Sequence, residues 1–178
     1  LANGLLKHYK TTCIEQHMIP EFISRDGVEE MTGVLEERTC WENQVAMLLC
    51  FHRLGYKNII ATDIDDLRTA DIPVVFKGYH YITIKLVCHD PEQIRRQMEN
   101  RPNNGLIDYE LQEKMNTKNL ERKPLVNEVE IDVTEKTAEE VRIEAINMID
   151  TFISELDYAY EKPPKELFYS WVFANGLR

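Results

Sequence analysis

Residues 56–68 read Tyr56-Lys-Asn-Ile-Ile-Ala-Thr-Asp-Ile-Asp-Asp-Leu-Arg68, a short β-favouring run that ends in three carboxylates. Asn58, Ile59, Ile60, Ala61 and Thr62 make a brief, mostly apolar segment behind Gly55, as expected of a strand buried on both faces of a parallel sheet. Asp63, Asp65 and Asp66 then fall at its carboxyl end. That edge is where open α/β sheets bind ligands, so these acids are candidates for holding a metal or a substrate hydroxyl. The plain alternative is a helix amino terminus, which aspartates cap and complement in charge.

Upstream, Trp41, Val45, Leu48, Leu49 and Phe51 follow helical spacing between Glu36 and Leu54, and Gly55 stands where a left-handed cap belongs. Before that helix, Pro20 and Gly27 punctuate a loop or broken helix over 18–30, and Thr11 to Ile14 read as a strand that ends at Glu15. The opening residues place Leu1, Leu5 and Leu6 on one helical face.

Downstream, Tyr81 to Val87 is rich in β-branched and aromatic residues and predicts a strand. Asp90-Pro91 starts a helix through Met98 that carries Arg95 and Arg96, with Arg101 just past its end. The polar stretch 102–124 predicts a mobile helical excursion. Val129 to Val133 alternates as a strand, and Thr137 with Glu140 forms a capping box for a helix over 141–156. Pro163-Pro164 sets off an aromatic tail, 163–178. The alternation of strands and helices predicts one α/β domain over 1–178, a parallel sheet layered by helices.

The charge is acidic, −10 overall, which disfavours nucleic acid and anionic membranes as partners. Cys13, Cys40, Cys50 and Cys88 show no ligand spacing and predict reduced core thiols. No apolar run approaches the ~20 residues of a membrane span, so a cytoplasmic protein is expected. His8, His17, His52, His80 and His89 share no spacing that assigns them chemistry.

Four features together resemble the P-loop nucleotide and small-molecule kinases of the shikimate-kinase and adenylate-kinase type. They are the strand ending in Asp63 with Asp65 after it, the strand to Val87 followed by D-P-E-Q-I-R-R-Q-M-E-N-R, the excursion after Arg101, and E-I-D-V-T-E-K-T-A-E-E-V at 130–141. The resemblance implies a three-layer sandwich with a helical lid, and ATP and Mg²⁺ as cofactors. The glycine-rich G-x-x-x-x-G-K-[ST] phosphate loop of that family does not occur in the sequence. Residues 1–7, L-A-N-G-L-L-K, are similar to the helix that follows this loop, so the nucleotide-binding residues are expected upstream of Leu1, in a longer protein.

By the same resemblance Asp63 is the Mg²⁺-linked acid, and Arg95, Arg96 and Arg101 are lid cations that neutralise the transferring phosphate. Glu15 falls where related kinases place a base for the acceptor hydroxyl. Arg38, Trp41 and Asp65 are candidates for holding a small-molecule acceptor, such as a nucleoside or nucleotide. Each residue also has an ordinary reading: solvated helix face for the arginines, surface acid for Glu15, core packing for Trp41. Two other functions compete with the phosphotransferase. One is a noncatalytic nucleotide- or partner-binding module; the other is a scaffold that forms a homodimer through Phe168, Tyr169 and Trp171.

Overall fold

The leucine spacing at the start of the sequence is realised as a helix, α1 (Ala2–Tyr9), with Leu5 buried. The computed structural model describes residues 1–16, 24–25, 29–30, 33–64, 66–100 and 108–169. These fall into two compact units, one within Leu1–Thr69 and the other Ala70–Tyr169.

In the first unit, β1 (Cys13–Glu15) follows α1, and β2 (Ser24–Arg25) pairs antiparallel with β3 (Glu29–Glu30). This short ladder stands where the sequence reading placed a loop or broken helix; the other residues of 17–32 lie outside those described. Helix α2 (Gly33–Arg53) then crosses to β4 (Ile60–Thr62), which pairs parallel to β1 with Glu15 opposite Thr62. The helix ends as Gly55 requires. At φ 85° its amide bonds His52 O at 3.0 Å and that of Tyr56 bonds Phe51 O at 3.1 Å, a Schellman cap. Strand β4 starts two residues later than the apolar run suggested, because Asn58 sits at φ 54° and cannot join a ladder. A four-residue helix, α3 (Asp66–Thr69), closes the unit, so Asp66 belongs to a helix start.

The second unit opens with α4 (Ile72–Val75) and β5 (Thr83–Val87). Asp90 caps α5 (Pro91–Glu99) by accepting from Glu92 N at 3.0 Å, with proline in the first turn as read. Asp108 likewise caps α6 (Tyr109–Glu121) through Leu111 N at 2.9 Å. Strand β6 (Glu128–Asp132) pairs parallel to β5, Thr83 opposite Glu128 and Val87 opposite Asp132. Val87, Ile131, Ala145 and Tyr158 are among its core residues. The Thr137–Glu140 capping box opens α7 (Ala138–Thr151) as expected.

That helix stops five residues short of the expected Leu156. Ser154 is drawn instead to Tyr81, accepting from its amide at 3.0 Å and donating to its carbonyl at 2.8 Å, and Ile153 is left exposed. The chain is thus mixed α/β, with two parallel strand pairs joined by helical crossovers among the described residues. No helix among the described residues is long and apolar enough to cross a membrane.

Candidate functional site

Two carboxyl-side strand edges carry the chemistry-bearing residues. In the first unit, Glu15 is the last residue of β1 and Asp63 directly follows Thr62, its register partner in β4. Neighbouring strands lie ~4.8 Å apart, so two carboxylate-bearing residues stand at adjoining strand ends. Asp63 is exposed and held at φ 60°. Aspartate tolerates the left-handed region better than most residues, and this conformation takes the chain out of the ladder after Thr62.

The Cys13 thiol registers this negative edge. Burial raises its pKa first, then the charge of Glu15 and, with less weight, that of Asp63; a hydrogen bond from Thr62 opposes the rise.

Beneath the edge lies a residue that the sequence reading passed over. Gln44, 0% exposed, donates its side-chain amide to Ile14 O at 3.1 Å and Thr62 O at 2.9 Å. These are the residues immediately before Glu15 and Asp63 in sequence. Its Oε1 is buried and finds no donor among the described residues. An unmade buried acceptor costs about 1–3 kcal/mol, so the position is not optimised for stability alone. The signal was present: Gln44 interrupts the apolar face of α2 three residues after Trp41 and one before Val45.

In the second unit the edge is built from residues 88–90 after β5 and 133–135 after β6. Asn116 of α6 spans Cys88, accepting from its amide at 3.3 Å and donating to its carbonyl at 2.7 Å. Thr134 Oγ1 accepts from His89 N at 2.8 Å and donates to Asp132 Oδ1 at 2.5 Å. Gln93 reaches across from α5 to Val133 O and to the amide of Glu135. The hydrogen bonds from Thr134, side chain then backbone, hold Asp132 below the usual carboxylate range, and the nearby charges of His89 and Lys136 add to this.

The expected lid arginines are placed as follows. Arg96 meets Asp90 Oδ2 at 3.2 Å, and Arg95 stands 3.8 Å from Glu92 with its guanidinium 5.0 Å from the centre of the Tyr109 ring. Both are exposed on α5. Arg38 is exposed on α2, whereas Trp41 is only 4% exposed and packs as a core residue. Arg101 and Asp65 lie outside the described residues.

Residues 109–121 of the expected lid are helix α6, and its carboxyl end is fixed by polar bonds. Lys85 of β5 donates from a buried Nζ to Asn119 O at 2.9 Å and Arg122 O at 3.0 Å, and meets its cross-strand partner Glu130 at 2.8 Å. Arg122 and Glu128 form a buried two-pronged pair at 2.7 and 2.8 Å, with the guanidinium over Phe168.

Among the described residues no group of three or more His, Cys, Asp or Glu side chains is placed to hold a metal ion. No family model, no curated protein and no solved structure matches the chain.

Proposed function

We propose that the protein is an ATP-dependent phosphotransferase acting on a small molecule such as a nucleoside or nucleotide. The observation that carries the reading is the pair Glu15 and Asp63 at adjoining carboxyl ends of parallel strands, the edge at which α/β folds bind ligands. Mg²⁺ is commonly held by only one or two carboxylates together with water and substrate phosphates, and Asp63, exposed at its strand end, would hold it. When bound, such an ion neutralises charge on the transferring phosphate. Glu15 is assigned as the base that receives the acceptor proton, and Arg38 with Asp65 as acceptor contacts. Burial argues against Trp41 offering an open stacking face.

The described residues contain no glycine-rich phosphate cradle; within the second unit, taken by itself, the exposed guanidiniums of Arg95 and Arg96 are assigned to phosphate, and the sequence adds Arg101 to that assignment. Their acidic partners, Asp90 and Glu92, are exposed as well or half-buried. Exposed pairs of this kind contribute ~0–1 kcal/mol, so a phosphate can displace them. The three-layer P-loop-kinase-like sandwich belongs to the same proposal, supported by the parallel sense of both crossover-linked strand pairs. So does a cytoplasmic location, supported by four free thiols.

The test is to incubate the intact protein with Mg²⁺ and γ-labelled ATP over a panel of nucleosides, nucleotides and sugars. Acceptor-dependent transfer of label is expected. Nucleotide binding without transfer to any acceptor would move the protein to the noncatalytic binding class, and no binding at all would overturn both readings.

A further inference from the structure

The two strands that present Glu15 and Asp63 are each three residues long, and the ends of such short ladders fray readily. Something must hold the last rung if two carboxylates are to keep a fixed spacing. Gln44 is placed to do so. Its single amide group carries two donors, and one goes to each strand, at Ile14 O and Thr62 O. The side chain reaches this point from the buried face of α2, where Cys40 and Trp41 are also buried, so the helix core locks its origin.

The chemistry of the amide suits the place. A lysine or arginine here would supply the same donors but also a positive charge that neutralises the carboxylates. An aliphatic residue would fill the volume and leave both carbonyls without their side-chain donor. Glutamine bridges two acceptors and adds no positive charge beside the two carboxylates. That the position retains a buried Oε1 with no donor among the described residues fits selection for the bridge rather than for packing.

We infer that Gln44 is a positioning residue, a staple across β1 and β4 that sets the separation of the Glu15 and Asp63 carboxylates. The purpose of that separation rests on the phosphotransferase reading; the staple itself does not. A reporter lies within the unit, because the Cys13 thiol feels both carboxylates. Its alkylation can be followed against pH by peptide mass spectrometry, apart from the other three cysteines.

Asp63→Asn in the intact protein is expected to move the Cys13 midpoint down. The same substitution in a Gln44→Met background is expected to move it by clearly less, since the strand ends have parted. An equal displacement in both backgrounds, at a temperature where both are folded by circular dichroism, would overturn the staple and leave Gln44 a packing residue. Should Gln44→Met not fold, the unmodified protein still decides: the Gln44 side-chain amide protons are expected to exchange slowly in the nitrogen-15 NMR spectrum, and fast exchange overturns the inference.

In turnover, loss of a group that orients the reacting residues costs about 10–100-fold. Gln44→Met is therefore expected to lower kcat by that order with KM for ATP little changed. A protein whose Cys13 coupling depends on Gln44 but which transfers no phosphate in any form would keep the staple and lose the phosphotransferase reading.

Discussion

Tyr160 donates its hydroxyl to Ala70 O at 2.9 Å, and burial, followed by the Asp71 carboxylate, pushes its pKa up to about 12. An unfolded tyrosine ionises near pH 10. The folded pKa is raised, so the stability linked to this group is whole below about pH 10 and is lost as pH climbs toward the folded value. Tyr160→Phe removes one hydrogen bond, about 1 kcal/mol at neutral pH, but also removes that alkaline loss. Urea melts are expected to show the variant weaker at pH 7 and the gap closing above pH 10; a gap that stays constant would mean that the hydroxyl ionises at the same pH in the folded and unfolded chain.

Single residues were legible in the sequence when their role is local. Gly55, Asp90 and the Thr137–Glu140 pair act on backbone groups within three or four positions, and all three do what their spacing implied. Gln44 and Lys85 bond to chain 18 to 37 residues away. Nothing in their neighbourhood announces this except a polar side chain where an apolar one was due.

Elements show the same division. Strands β1, β4, β5 and β6 and helices α1, α2, α5 and α7 follow from local sequence patterns, whereas the two-residue strands β2 and β3 carry none. The expected excursion is helical over α6, with Leu111 buried and polar bonds added at its carboxyl end. A stretch with few large hydrophobic residues reads as loosely held, yet Asn116, Lys85 and the Arg122–Glu128 pair fasten it to β5 and β6. In V-E-I-D-V, residues 129–133, the alternation marks the strand but not that Glu130 meets buried Lys85.

Removing one partner of a buried ion pair strands the other, at a cost of about 3–5 kcal/mol, while replacing both with apolar residues is far milder. Arg122→Ala is expected to lose stability of that order in denaturant melts, and Arg122→Leu with Glu128→Leu much less. Equal losses in the two proteins would show that the pair contributes no more than volume. Amide exchange gives a second check at this scale. Amides in the last two turns of α6 are expected to exchange as slowly as those of β5, and rapid exchange there would return the helix to the mobile segment that its composition suggests.

At the scale of the whole molecule, strand-helix-strand order was enough to reach a mixed α/β chain with parallel pairing, because a parallel partner demands a crossover and the helices supply it. The number of strands in each sheet was not legible, since that depends on which edges meet, and edge pairing leaves no periodic trace. Toward function the sequence offers the acids at the strand ends as candidates. Composition and fold class are shared by many chemistries, and function is carried by the site.

The claim that binds sequence, edge and activity together is that Asp63 stabilises charge in phosphoryl transfer. Its direct test is the acceptor-dependent rate of ADP formation from Mg²⁺ and ATP in the intact protein and in Asp63→Asn. An exposed strand-end residue changes stability by only about ±0.5 kcal/mol, so melting should be nearly unaltered. Loss of charge stabilisation at the reacting phosphate should lower kcat by about 10²–10³. A variant that turns over within a few-fold of the parent, or a parent that forms no ADP with any acceptor, would contradict the account.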